Sequence, residues 1–155
     1  MNIDPVRRIA ILLADDEESV SSVVSFFLRN AGHEVDRARD GIEALSKLRG
    51  APGKYQVLIT DHDMPNASGL ELVEKLSDIG FRGKVVVFSG YLTPEIQRCY
   101  RGLGADKLVH KPFDMVGLRK VVEDLSLEME ARTIEENEAD FHFERGRGRC
   151  ASGSA

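Results

Sequence analysis

Apolar residues in this chain form short unbroken runs that alternate with stretches where they recur every three or four positions. Ile9 to Ala14 is a continuous apolar run that stops at Asp15-Asp16, the pattern of a parallel strand covered on both faces. Val20, Val23, Val24, Phe27, Leu28 and Ala31 then share one helical face, and Gly32 is placed to end that helix. Glu34 to Arg39 alternates around Val35 and Ala38, which predicts a short polar edge strand. Asp40 and Glu43 have capping-box spacing ahead of Ile42, Leu45 and Leu48, so a second helix should run to near Gly50.

Gln56 to Thr60 is a third strand, cut off at Asp61 by the polar turn His62-Asp63-Met64-Pro65. Ser68 and Glu71 offer another capping box before Leu72, Val73, Leu76 and Ile79. Lys84 to Phe88 is a β-branched strand ending at Ser89-Gly90. Thr93-Pro94 opens a helix with Ile96, Cys99, Tyr100 and Leu103 on one face. Lys107 to His110 is a short last strand followed at once by Lys111-Pro112. The final helix, from about Asp114, turns Leu118, Val121, Val122, Leu125 and Met129 inward.

Five strands alternating with five helices predict an α/β fold, a doubly wound parallel sheet. The apolar strands belong in the centre and the polar second strand at an edge, which the order 2-1-3-4-5 satisfies with right-handed crossovers. That order brings Asp15, Asp16 and Asp61 together beyond the carboxyl ends of neighbouring strands, where ligands bind in open sheets. From Arg132 the pattern dissolves into an acidic stretch, an Arg/Gly run and small polar residues. Residues 1–131 are therefore expected to form one domain and 132–155 a mostly disordered tail.

Bulk properties narrow the function. The 155 residues are 42% hydrophobic and 30% charged, ordinary for a globular domain. A net charge of −5 gives no electrostatic reason for nucleic-acid binding. No apolar run nears the roughly 18 residues that span a bilayer, and Met1 to Arg8 lacks the apolar core of a signal peptide. Cys99 and Cys150 are too few and too far apart for a disulfide framework, so a cytoplasmic location is expected.

Three carboxylates within roughly 5 Å repel by about 3 kcal/mol per pair at an effective dielectric near 20. Such a cluster calls for a cation, and all-oxygen donors suit Mg²⁺ or Mn²⁺. Asp16 and Asp61 are the first candidates to hold it, with Asp15 direct or through water, and Asp63 through its backbone carbonyl. Ser89 and Lys111 bring a hydroxyl and an ammonium to the same rim. Carboxylates, a divalent cation, a hydroxyl and a Lys describe a site for a phosphoryl group, with Asp61 as the in-line nucleophile.

The set Asp15-Asp16, Asp61-x-x-Met64-Pro65, Gly69, Ser89-Gly90 and Lys111-Pro112-Phe113 resembles a response-regulator receiver domain of two-component signalling. The resemblance spans about residues 8 to 128 and implies a CheY-like, flavodoxin-like (βα)5 fold. It implies that Asp61 accepts a phosphoryl group from a histidine kinase or histidine phosphotransfer protein, and that Asp15 and Asp16 hold Mg²⁺. Ser89 would be the switch hydroxyl and Lys111 the phosphate contact, with the Lys111–Pro112 bond commonly cis in the family. The protein would be a signalling module that catalyses its own phosphorylation and dephosphorylation, with a repacked face of the fourth helix, fifth strand and fifth helix as output.

One position departs from the family pattern. Leu108 stands where an aromatic is usual, three residues before Lys111. Tyr91, two residues after Ser89, either replaces that ring or is a plain surface residue. Asp63 and Tyr91 flank the site and would govern water access. His62 reads as an exposed loop residue and His110 as an ordinary strand residue. No DNA-binding or enzymatic segment is expected after Met129, so the chain would act by binding another protein, by relaying phosphate, or as a fragment cut from a larger chain. Two alternatives stay open: a haloacid-dehalogenase-like phosphohydrolase, suggested by Asp61-His62-Asp63, and a phosphorylation-independent scaffold.

Overall fold

In a computed structural model, the backbone is described for residues 7–111 and 114–150, and side chains for residues 7–111 and 114–139. Pro112 and Phe113, and with them the expected cis bond, lie outside the described residues. The order is β1 (Ala10–Ala14), α1 (Glu18–Asn30), β2 (Glu34–Ala38), α2 (Gly41–Gly50), β3 (Val57–Asp61), α3 (Gly69–Lys75), β4 (Lys84–Ser89), α4 (Pro94–Gly102), β5 (Lys107–His110) and α5 (Met115–Cys150). The five strands are parallel in the order β2-β1-β3-β4-β5, as the hydrophobic pattern requires.

The strand sequences explain that order. Every residue of β3 is buried, as are four of the five in β1 and five of the six in β4, so these runs have no solvent face to spend polar residues on. Along β1 and β3, Leu12, Ala14 and Leu58 join the core with Leu45, Leu48, Leu72 and Leu76 of the α2–α3 side. The alternating residues Ile11, Leu13 and Ile59 are equally buried, so both faces are covered. The edge strands are weaker: β2 buries Val35 and Ala38, and β5 buries no residue fully.

Local chemistry sets the helix starts. Asp40 accepts from Glu43 N at 2.7 Å, Ser68 from Glu71 N at 3.2 Å and Thr93 from Ile96 N at 3.2 Å, each satisfying a donor that the first turn leaves open. Gly32, at φ 100°, ends α1 in a conformation that favours glycine.

Three helical faces differ from the expected ones. On α1 the buried stripe is Ser21, Val24, Ser25 and Leu28, while Val23 is 54% exposed. The stripe is shifted because Arg37 of β2 donates to the Ser21 hydroxyl at 2.8 Å, making a polar residue an acceptable inward neighbour. On α2 Ala44 takes the inward place expected of Ile42, which is exposed. On α4 Tyr100 alone is buried; Cys99 is exposed and Leu103 is 43% exposed. This helix lies against α3 and follows a strand whose neighbour β5 is itself thinly covered, so it has less to bury against.

The compact unit of the sheet runs to Val121, and the remainder of the chain is described as a second unit beginning at Val122. In α5, Leu118, Val122 and Leu125 are buried, and Val121 and Met129 are half-buried. The helix then continues from Arg132 to Cys150. Every residue from 131 to 139 is exposed, so no burial holds that part of it. Glu135, Glu136, Glu138 and Ala139 are good helix formers in that part, with Arg132 and Glu136 paired at 3.5 Å one turn apart. Among the described residues no helix is long and apolar enough to cross a membrane.

Candidate functional site

Strand register assembles the site. Ala14 pairs with Thr60 and Asp61 with Phe88, so Asp15 and Asp61 leave adjacent strands side by side. Ser89 pairs with His110, and Lys111 N donates to Ser89 O at 2.8 Å, holding the start of the next loop at the same rim. Asp15 N is fixed in turn by Ala38 O at 3.0 Å.

Asp15, Asp16 and Asp61 each present a carboxylate oxygen within 4.8 Å of the others. The Asp15 side chain is fully buried, with Oδ1 accepting from Glu17 N at 2.9 Å. Lys111 Nζ lies 3.5 Å from Asp15 Oδ2 and 3.3 Å from Asp61 Oδ2, and sits 4.8 Å from the centre of the Phe88 ring. The ammonium is therefore held by two anions and an aromatic face. One positive charge faces three carboxylates, leaving a local excess of two negative charges. Hard oxygen donors with that excess fit a divalent cation such as Mg²⁺.

Burial pushes the Asp61 carboxyl above its ordinary range; Lys111 opposes that and the Asp15 charge adds to it. Desolvation of the charged form outweighs a single ammonium more than 3 Å away. An open recess of about 770 Å³ lies beside the site, lined by Asp16, Asp40, Ile42, Glu43 and Asn66 among others. It includes neither Asp61 nor Lys111, so the chemistry is not centred there.

Not every expected group points into the site. The Ser89 hydroxyl is buried but donates to Tyr91 O at 3.4 Å, a long bond within its own loop. Asp63 is exposed. Tyr91 is 71% exposed, as a surface residue should be. Leu108 is half-buried against the core and His110 is exposed.

His62 corrects the sequence reading. It is half-buried, and its Nδ1 lies 2.6 Å from the Tyr100 hydroxyl of α4. The signal in the sequence was Tyr100 itself, counted as apolar although a buried phenol needs a polar partner. Phe88 beneath Lys111 was likewise read only as strand hydrophobicity.

A family model described as response regulator receiver domain matches residues 11–123. The chain is 35% identical over 118 residues to response regulator RR06 of Streptococcus pneumoniae serotype 2, covering 74% of this chain and 52% of that protein. It is 39% identical over 72 residues to sensor protein EvgS of Escherichia coli O157:H7, covering 46% of this chain and 6% of that one. The chain thus spans about half of the first relative and a small part of the second. Among solved structures, the chemotaxis protein CheY4 of Vibrio cholerae is similar with a TM-score of 0.69 at 30% identity, over 77% of this chain and 99% of that one.

Proposed function

The chain belongs to the response regulator receiver domain family of two-component signalling, and from that membership we propose that Asp61 is its phospho-acceptor. Receiver domains are signalling modules rather than conventional enzymes, and membership sets aside the haloacid-dehalogenase alternative. The observation that carries the reading is Asp61 at the end of β3, within 3.3 Å of Lys111 and clustered with Asp15 and Asp16.

In the proposed reaction a carboxylate oxygen of Asp61 attacks the phosphorus of a phosphohistidine donor in line with the P–N bond. The new O–P bond makes an acyl phosphate, the P–N electron pair returns to the imidazole nitrogen, and that nitrogen takes a proton from solvent. Lys111 is close enough to shift from the Asp61 carboxylate to the incoming phosphoryl oxygens. Asp15, Asp16 and Asp61, with the Asp63 backbone carbonyl, are the proposed Mg²⁺ ligands, Mn²⁺ being the substitute. When bound, the cation supplies positive charge to the phosphoryl oxygens. The Ser89 hydroxyl, weakly engaged at 3.4 Å, is free to exchange Tyr91 O for a phosphoryl acceptor, making it the switch group.

The donor is a histidine kinase or histidine phosphotransfer protein, a reading supported by the similarity to a sensor protein. The target is a protein that binds the altered face, with both encounters in the cytoplasm. Residues 1–131 are the proposed receiver and 132–155 an appendage dispensable for accepting phosphate. Intact-mass measurement after incubation with acetyl phosphate and Mg²⁺ tests this. A single phosphoryl adduct should form, be absent in Asp61→Asn, and persist when residues 132–155 are removed. No adduct on the native chain would leave the phosphorylation-independent scaffold instead.

A further inference from the structure

Tyr100 is fully buried while its α4 neighbours Cys99 and Leu103 are exposed. Its side chain bridges from α4 to the residue after Asp61, with the hydroxyl 2.6 Å from His62 Nδ1. The two rings meet edge to face, 5.6 Å between centres at 78°. A third element closes on the same point. A Cβ added at Gly69 would lie 2.2 Å from Asp61 O, 2.9 Å from the Tyr100 hydroxyl and 3.0 Å from His62 Cα. Gly69 N donates to His62 O at 2.9 Å, and the Thr60 hydroxyl to Asp61 O at 2.9 Å. The end of β3, the start of α3 and the last turn of α4 therefore share one junction without room for a methyl group.

Burial pushes the Tyr100 phenol well above its usual range, and the Asp61 and Asp63 charges add to the effect. The hydroxyl is thus protonated at neutral pH and lies in the field of the acceptor carboxylate.

We propose that Tyr100 is a positioning residue whose hydroxyl bond to His62 ties α4 to the end of the acceptor strand, so that a change of charge at Asp61 moves α4 through His62. A hydrogen bond of 2.6 Å loses strength steeply with added distance or angle. Displacement of His62 therefore either carries α4 with it or releases it. The link deepens the receiver reading and rests on it only for what alters the charge.

Amide chemical shifts in the full-length protein test the coupling without phosphate. Asp61→Asn removes the charge, and the response is read at Ile96, Gln97 and Arg98 of α4. Ser89 and Gly90 serve as a reference on β4 and its loop. The α4 response should fall at least twofold in a Tyr100→Phe background, where the ring remains, while the Ser89 and Gly90 responses persist. His62→Leu should reproduce that loss, and His62→Asn, which keeps a polar atom near the Nδ1 position, should restore more than half of it. An α4 response that is absent in the native background, or undiminished by Tyr100→Phe and His62→Leu, overturns the proposal. A parallel arm with acetyl phosphate and Mg²⁺ separates the two readings. A missing adduct there sinks Asp61 as acceptor, while the Asp61→Asn comparison still decides the link.

Discussion

The strands that carry the acids and the elements beyond them are held with very different firmness. β1, β3 and β4 are buried almost end to end, and Asp15 accepts from the Glu17 amide while its own amide donates to Ala38 O. On the far side, β5 has no fully buried residue and α4 has only Tyr100. Apolar burial and closed backbone bonding give the first region the highest local stability in the unit, and their scarcity lowers it in the second. The difference teaches a division of labour. A fixed frame keeps three acids in place, while a lightly anchored helix and strand, the strand leading into Lys111, can be displaced at small cost.

The largest expected effect tests the frame. Leu58→Ala should lower unfolding free energy by about 2–5 kcal/mol in urea melts, because it leaves a cavity in a fully buried strand. A loss below about 1 kcal/mol would remove the contrast between the regions.

Next comes the charge cluster. Mg²⁺ at ten times its dissociation constant should stabilise the folded chain by about 1.4 kcal/mol. Asp16→Asn should weaken that gain in thermal melts; an unchanged gain would place the cation elsewhere.

In chelator, Asp61→Asn should stabilise the protein at neutral pH, read as a raised midpoint in thermal melts. The sign follows from the raised Asp61 pKa. Its contribution to stability is full below the ordinary carboxylate range and is lost as pH rises through the raised value. The advantage of the amide should therefore shrink as pH falls. A stability difference that grew on acidification would reverse the assignment.

The smallest effect belongs to the loose side. Leu103→Ala at the C-cap of α4 should change stability by less than about 0.5 kcal/mol, as at exposed positions generally. In hydrogen exchange, β5 and α4 amides should open sooner than those of β3. Equal protection of the two regions would erase the proposed division.

How much of this was legible depended on what kind of information each residue carries. Ile9 to Ala14 and Val57 to Thr60 name themselves as central strands because an unbroken apolar run has few other uses. Topology then brings Asp15, Asp61 and Lys111 together, since parallel strands end at one rim. Helical faces were harder. Val23 and Ile42 fit an apolar period yet are exposed, because one-dimensional spacing does not say which of two adjacent stripes meets the sheet. Ser21 took an inward place through Arg37, a partner 16 residues away. The orientation of the Ser89 hydroxyl and the His62–Tyr100 bond are three-dimensional facts with no periodic trace. The helix over residues 132–139 shows the converse, local propensity persisting where no buried face demands it.

The chain contains three tyrosines and no tryptophan, so its near-ultraviolet emission is undiluted phenol fluorescence. Tyr91 faces solvent, while the Tyr55 hydroxyl donates to Asp36 at 2.6 Å and its pKa is pushed up to about 12, mainly by burial. Among the described residues, Tyr100 alone couples a phenol to an imidazole, next to Asp61. That contact makes the protein its own optical probe. A change in the intensity or absorption edge of Tyr100, isolated as the difference from Tyr100→Phe, would follow the junction in real time without an attached dye.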